Sequence, residues 1–127
     1  MIKPKSLIIF ISGIILLTSC EKIDLGKEIE VKLYETYKIS RNLSFKVDSI
    51  NDYRCPLGTW CVWEGDVDLY FNFGSDEEVL NLYNEDTNPF YTKGYSIEII
   101  NVEPYPTINP NPGYIPEVII YLKVDKE

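Results

Sequence analysis

The sequence predicts a small all-β domain, either an antiparallel sandwich of immunoglobulin-like size with about seven strands or a partly open barrel. Three observations support this fold class. Apolar and polar residues alternate with a period of two, no segment after the N-terminal region shows a sustained helical period, and turn-forming residues separate the alternating runs. Both architectures bury one face of each strand, so the alternation does not choose between them.

The first half of the chain holds three alternating runs, at residues 29–33, 43–47 and 61–73. The third is the longest, and we expect its apolar positions to share the buried face: Cys61, Trp63, Val67, Leu69, Phe71 and Phe73. Gly65 interrupts that face, which indicates a β-bulge or a close approach of two backbones.

The second half begins with a turn cluster at 73–78, which should fold the third run back onto a strand at 78–84 as a hairpin. Residues 85–94 are rich in turn formers and are predicted as a loop, and a strand follows at 95–102. Residues 103–114 hold four prolines and are excluded from a sheet interior. The last predicted strand is 115–124.

The N-terminus has the pattern of a secretory signal. Lys3 and Lys5 precede an apolar run at 7–17 that is too short to cross a bilayer. The segment Leu17-Thr18-Ser19-Cys20 then resembles the lipobox of bacterial lipoproteins, in which the cysteine thiol takes a diacylglyceryl group before cleavage. The alternative is an ordinary signal peptide followed by a chance cysteine.

The lipobox divides the chain into a removed signal at 1–19, a lipidated tether at 20–27 and a single β domain at 28–127. Lipid on Cys20 is then the expected membrane attachment. The predicted location is the cell envelope outside the cytoplasm, at the outer membrane or the cell surface.

Composition excludes several function classes. The signal holds two of the 12 basic residues and none of the 20 acidic ones, so the mature chain carries a net charge of −10. This charge argues against nucleic acid and anionic lipid headgroups as partners. The chain has no histidine, and it shows no nucleophile pair or phosphate-binding loop. We therefore predict a protein that is not an enzyme and has no cofactor.

If Cys20 carries the lipid, two of the three cysteines are left to pair with each other. Cys55 and Cys61 remain, and an oxidising compartment favours a disulfide between them. A loop this short stabilises the fold by about 2 kcal/mol in the entropic description. A reduced metal-binding pair is the weaker alternative, because two thiols without further ligands do not complete a zinc site.

The segment DYRCPLGTWCVWEGDVDL at 52–69 resembles a signature of secreted and lipoprotein domains from bacteria, D-S-R-C-P-x4-C-[VI]-W-x-G. Tyr53 stands where that family has serine. LNLYNEDTNP at 80–89 and VEPYP at 102–106 are similar to two further segments of the family, in the same order. The family has no established activity, so the resemblance implies the fold and secretion and gives no mechanism.

An acidic row and two aromatic groups are the candidate sites. Glu64, Asp66 and Asp68 alternate along one strand face. They are interpreted as a solvated face balanced by Lys32 or Lys46 on neighbouring strands, with a hard-cation site or a carboxylate hydrolase as weaker alternatives.

The aromatic residues give the candidate ligand contacts. Trp60 in the disulfide loop, with Tyr53 and Arg54 before it, forms either a recognition patch or a cover over the disulfide. Arg54 is expected to pair with Asp52, Asp66 or a loop carbonyl. Tyr105 and Tyr114 in the proline-rich loop form a second patch or close the open end of the sandwich.

These features predict a lipid-anchored, non-enzymatic binding or envelope-associated module, with an envelope protein or a glycan as partner. The alternative is an inhibitor of an extracytoplasmic protease or glycan hydrolase, since a small rigid domain with stiff loops can fill a cleft.

Overall fold

The computed structural model describes residues 20–108 and 117–127. The predicted signal at 1–19 and the candidate contact Tyr114 lie outside these residues. The described chain contains no α-helix and nine strands, which confirms the all-β prediction. The strands are β1 (Cys20–Lys22), β2 (Glu28–Lys32), β3 (Thr36–Ser40), β4 (Leu43–Asp52), β5 (Val67–Asn72), β6 (Glu77–Asn81), β7 (Phe90–Thr92), β8 (Tyr95–Glu103) and β9 (Ile119–Lys126).

The strands form two sheets, so the architecture is a sandwich. The first sheet has the order β1-β3-β4-β5-β6, and the second has the order β2-β9-β8-β7. Pairing is antiparallel throughout except between β1 and β3, where Cys20 lies opposite Thr36 and the strands run parallel. The segment 20–27, predicted as a tether, therefore adds an edge strand to the first sheet.

The core lies between the two sheets, as the alternation predicts. In β4 the buried side chains are Leu43, Phe45 and Val47, and in β9 they are Ile120, Leu122 and Val124. A row of aromatic rings continues this core to one edge, with successive ring centres 5.4–6.0 Å apart, through Tyr37, Phe45, Phe71, Phe73 and Phe90. The row connects the first sheet to β7 of the second.

Several strand boundaries differ from the sequence prediction. The third alternating run is a strand only from Val67, because the chain ahead of it turns through the disulfide loop. Residues 90–92, predicted as part of a loop, pair with β8, and the last strand begins at Ile119. The strand β3 has no counterpart among the runs identified from the sequence.

The sandwich has two distinct ends. At one end β4 stops at Asp52, β5 begins at Val67 and β8 stops at Glu103; we call this the loop end. The turns between β3 and β4 and between β7 and β8 lie at the opposite end.

Candidate binding surface at the disulfide loop

The β4–β5 hairpin extends beyond its strands at the loop end. The amide of Tyr53 donates to the carbonyl of Asp66 at 3.0 Å, and the amide of Cys55 donates to the carbonyl of Glu64 at 2.8 Å. Cys55 and Cys61 then form a disulfide with a Cα–Cα separation of 5.9 Å, which confirms the predicted pair. The disulfide closes the tip of the hairpin into a small loop.

Gly65 is where the two sides of this hairpin approach closely. Its φ is +73°, and a Cβ at this position would lie 2.0 Å from the carbonyl oxygen of Tyr53. Only glycine accommodates both constraints. The prediction that Gly65 marks a close backbone approach is confirmed.

Arg54 lies beneath the loop with 2% of its surface exposed. Its Nε and Nη2 donate to the two carboxylate oxygens of Asp52 at 2.9 and 2.6 Å, and Nη2 also donates to the carbonyl of Pro104 at 3.3 Å. This confirms the expected pairing with Asp52 and a loop carbonyl. Because the guanidinium is buried and bonded internally, Arg54 is not placed to contact a ligand.

The surroundings of Arg54 keep it charged. Burial alone would lower the pKa of its guanidinium, but the hydrogen bonds and the charge of Asp52 raise that pKa above its ordinary value. The guanidinium also lies over the ring of Tyr105, 4.7 Å from the ring centre. Arg54 thus joins the disulfide loop to the proline-rich loop through a cation–π contact and a hydrogen bond.

Backbone contacts connect the same two loops. The amide of Leu57 donates to the carbonyl of Pro106 at 2.9 Å, and Leu57 forms an isolated parallel bridge with Thr107. The two loops that hold the predicted aromatic contacts therefore converge at the loop end. Tyr105 lies between them, with 38% of its surface exposed.

The three most exposed large apolar side chains of the described residues lie in the disulfide loop or directly after it. Trp60 is 89% exposed, Val62 is 92% exposed and Trp63 is 79% exposed. We call these three residues the Trp surface. The exposure of Trp60 agrees with its interpretation as a recognition residue and not with a cover over the disulfide.

The placement of Trp63 in the core was wrong. The prediction extended the alternation of β5 back to Cys61, but residues 61–64 belong to the loop, where alternation no longer determines which side is buried. Val62 was not among the predicted contact residues. The available signal was an apolar side chain at an even position, in line with the acidic residues 64, 66 and 68.

Most residues that match the D-S-R-C-P-x4-C-[VI]-W-x-G signature fall into two groups in the structure. One group builds and holds the loop through the contacts described above: Asp52, Arg54, Cys55, Cys61 and Gly65. The other group, Val62 and Trp63, lies in solvent.

The acidic row has a mainly structural geometry. Oδ1 of Asp66 accepts hydrogen bonds from the amides of Val67 at 2.7 Å and of Leu82 and Tyr83 at 3.0 Å. Asp66 thereby fixes the chain that follows β6 against the start of β5. Glu64 is exposed.

Asp68 interacts with polar groups on both neighbouring strands. It accepts from the Tyr53 hydroxyl at 3.2 Å and from the side-chain amide of Asn81. Desolvation and the charge of Asp68 raise the pKa of the Tyr53 hydroxyl above its ordinary value. Tyr53, with 46% of its surface exposed, flanks the hairpin below the loop.

The expected lysine partners of this row were wrong. Lys46 pairs with Asp48 at 3.3 Å, and Lys32 pairs with Glu117 at 3.3 Å on the second sheet. Asp66 and Asp68 instead accept hydrogen bonds from amide and hydroxyl donors. Among residues 20–108 and 117–127, no group of three or more acidic, cysteine or histidine side chains is arranged to hold a metal ion.

A search of the described ranges for a helix with the length and apolar character needed to span a bilayer finds none. Comparisons of the chain with known protein families, with curated proteins and with solved structures find no match.

Proposed function

We propose that this protein is a lipid-anchored, non-enzymatic binding module of the cell envelope, and that it contacts its partner through the Trp surface. The observation that supports this proposal most directly is the high exposure of Trp60, Val62 and Trp63, which lie within four consecutive residues of the chain. Contiguous exposed apolar groups on a small domain indicate an interaction site, and tryptophan is the side chain that contributes most to binding energy in interfaces.

The rigidity of the loop favours binding. The disulfide, the contacts of Leu57 with the proline-rich loop and the buried Arg54–Asp52 pair hold the base of the loop. A side chain already held in place loses less conformational entropy when it binds. The loop therefore presents its tryptophans at a lower entropic cost than a flexible segment would.

The lipid anchor and the extracytoplasmic location are supported by the sequence at Leu17–Cys20 and by the disulfide, which is typical of oxidising compartments. Cys20 lies in the edge strand of the first sheet, opposite Thr36. An envelope protein or glycan is the partner class that such an anchored domain encounters.

A capture experiment tests the proposal. Immobilised wild-type protein and a Trp60→Ala/Trp63→Ala variant are incubated with an extract of the cell envelope, and the retained material is compared. A matched control is Tyr91→Ala, which removes an aromatic side chain that is 59% exposed on β7, away from the loop. Retention that is lost only in the double tryptophan variant supports the proposal, and equal retention by all three proteins contradicts it.

The projecting, cross-linked loop also favours a second candidate, an inhibitor that inserts the loop into the cleft of an extracytoplasmic protease or glycan hydrolase. Assays of purified enzymes of both classes with and without the protein test this candidate. Inhibition should be lost in the double tryptophan variant, and an absence of inhibition in both classes contradicts it.

A further inference from the structure

We infer that the partner of the Trp surface is a positively charged protein surface, which places arginine or lysine side chains against the exposed tryptophans and the carboxylates around them. This inference rests on the proposed function and specifies the chemistry of the partner. It follows from the distribution of charge over the sandwich and from the aromatic character of the loop.

Basic residues are almost absent from the loop end. Of the ten lysines and arginines in residues 20–108 and 117–127, two lie there, Lys32 and Arg54, and both are in ion pairs. Lys46 lies within β4 and is also paired. The other seven lie toward the opposite end or in its turns: Lys22, Lys27, Lys38, Arg41, Lys93, Lys123 and Lys126.

Acidic residues at the loop end outnumber the two basic residues found there. Six belong to the segments around the disulfide loop: Glu64, Asp66, Asp68, Glu85, Asp86 and Glu103. Within the two described ranges, none of the six takes part in an ion pair. The loop end is therefore strongly negative, although basic residues are plentiful at the other end. At the opposite end the charges are mixed, because the acids Asp76, Glu77 and Glu78 lie at the same end as these basic residues. Net charge for solubility alone does not require basic residues to be scarce at one end.

The Trp surface lies within this negative region. Trp63 is adjacent in sequence to the exposed Glu64, so a cationic group stacked on the indole is near a carboxylate. Tryptophan is the most favourable aromatic side chain for a cation–π contact. The protein already uses this chemistry internally, where the Arg54 guanidinium pairs with Asp52 and lies 4.7 Å from the ring centre of Tyr105.

The same charge distribution disfavours other partners. A nucleic acid, an anionic lipid surface or an acidic glycan would be repelled by the loop end. A neutral glycan or a zwitterionic membrane can contact tryptophan, but neither gains from six carboxylates that have no cationic partner among the described residues. A basic protein surface accounts for both the aromatic and the acidic character.

Intrinsic fluorescence provides a selective test, because both tryptophans of the chain belong to the Trp surface. The purified protein is titrated with a twelve-residue peptide that holds four arginines in a glycine–serine background, and with the same peptide carrying glutamates instead. We expect the arginine peptide to give a saturable change in tryptophan emission. Its affinity should fall several-fold as salt rises from about 0.05 to 0.5 M, and the glutamate peptide should have no effect.

Matched variants separate this site from general attraction to an acidic protein. Glu64→Gln should weaken binding of the arginine peptide about threefold. Glu77→Gln, which removes one exposed acid at the opposite end, should leave it unchanged. The Trp60→Ala/Trp63→Ala variant has no tryptophan, so its binding is measured by the fluorescence anisotropy of a labelled peptide. This variant should bind the arginine peptide about tenfold more weakly, and Tyr91→Ala should bind it as the wild type does.

Several outcomes would overturn the inference. Equal weakening by Glu64→Gln and Glu77→Gln, or peptide binding that the double tryptophan variant retains, would show that only overall charge matters. Absence of arginine-peptide binding together with tryptophan-dependent capture of envelope material would contradict the basic partner and leave the proposed function standing. A salt-independent change in emission with vesicles of zwitterionic lipid would assign the surface to the membrane. Loss of both capture and peptide binding would contradict both proposals.

Discussion

A Cβ atom on Gly65 would lie 2.0 Å from the carbonyl oxygen of Tyr53, so the two sides of the β4–β5 hairpin meet there without room for a side chain. We expect Gly65→Ala to destabilise the fold by more than about 2 kcal/mol, because it combines an unfavourable positive φ with a backbone clash. Chemical denaturation followed by far-UV circular dichroism measures this effect.

Gly74 provides the matched control for this substitution. Its φ is +90°, but a Cβ there would meet nothing within 4 Å. Gly74→Ala should therefore cost only the conformational strain, about 1 kcal/mol. Equal effects of the two substitutions would show that the approach of Gly65 to Tyr53 is not a constraint.

The buried ion pair of Arg54 with Asp52 is expected to contribute to the order of both loops. Arg54→Ala removes the partner of Asp52 and the donor to the Pro104 carbonyl, and should reduce the free energy of unfolding by about 3 kcal/mol. Tyr105→Phe, which keeps the aromatic ring over the guanidinium, is the control and should change stability little. A stable Arg54→Ala protein in which both loops resist proteolysis would contradict this role.

Asp66 is expected to be structural. Asp66→Ala leaves three amide donors without their acceptor and should lower stability by about 2 kcal/mol, whereas Glu64→Ala at an exposed position should have little effect. Denaturant midpoints of the two variants measure the difference. If Asp66→Ala were as stable as Glu64→Ala, the fixed position of the chain after β6 would need another explanation.

The hydrogen bond of Tyr53 to Asp68 predicts a dependence of stability on alkaline pH. Desolvation and the charge of Asp68 raise the pKa of Tyr53 in the folded protein above its ordinary value of 10.0. The resulting contribution to stability is complete below pH 10 and is lost as pH rises through the folded value. Tyr53→Phe should reduce this loss in denaturation measured from neutral pH to above pH 10, and Tyr91→Phe on the exposed side of β7 should not.

Lipid attachment at Cys20 is tested by metabolic labelling. We expect labelled palmitate to be incorporated in the wild type and in a Cys55→Ala/Cys61→Ala variant, but not in Cys20→Ser. Cys20→Ser should also leave the membrane fraction, because the acyl chains are its expected attachment. Retention of the label in Cys20→Ser would contradict the lipobox interpretation of Leu17–Cys20.

Alternation predicted the strand positions well wherever a strand has one face on the core. Phe45, Leu69 and Leu122 are buried as their positions require, because a pleated strand directs every second side chain to the same face. The rule failed at Trp63, where the chain has left the sheet and the disulfide and Gly65 determine its direction. It also missed β3, although Tyr37 and Ile39 alternate there and are buried. The three-residue β7 was missed because it is too short to display a repeated pattern.

The sequence by itself determined the all-β fold class and the pairing of Cys55 with Cys61, because each depends on a local period or on residues close together in the chain. It limited the partner of Arg54 to Asp52, Asp66 or a loop carbonyl, and the structure selected Asp52 and the carbonyl of Pro104. Only the tertiary structure decided which residues meet at the loop end. The convergence of the disulfide loop with Tyr105 depends on contacts between segments about fifty residues apart. The exposure of Trp63 and the scarcity of basic residues at the loop end depend likewise on how the chain is folded. Such contacts are set by sheet register and loop direction, which no local pattern encodes.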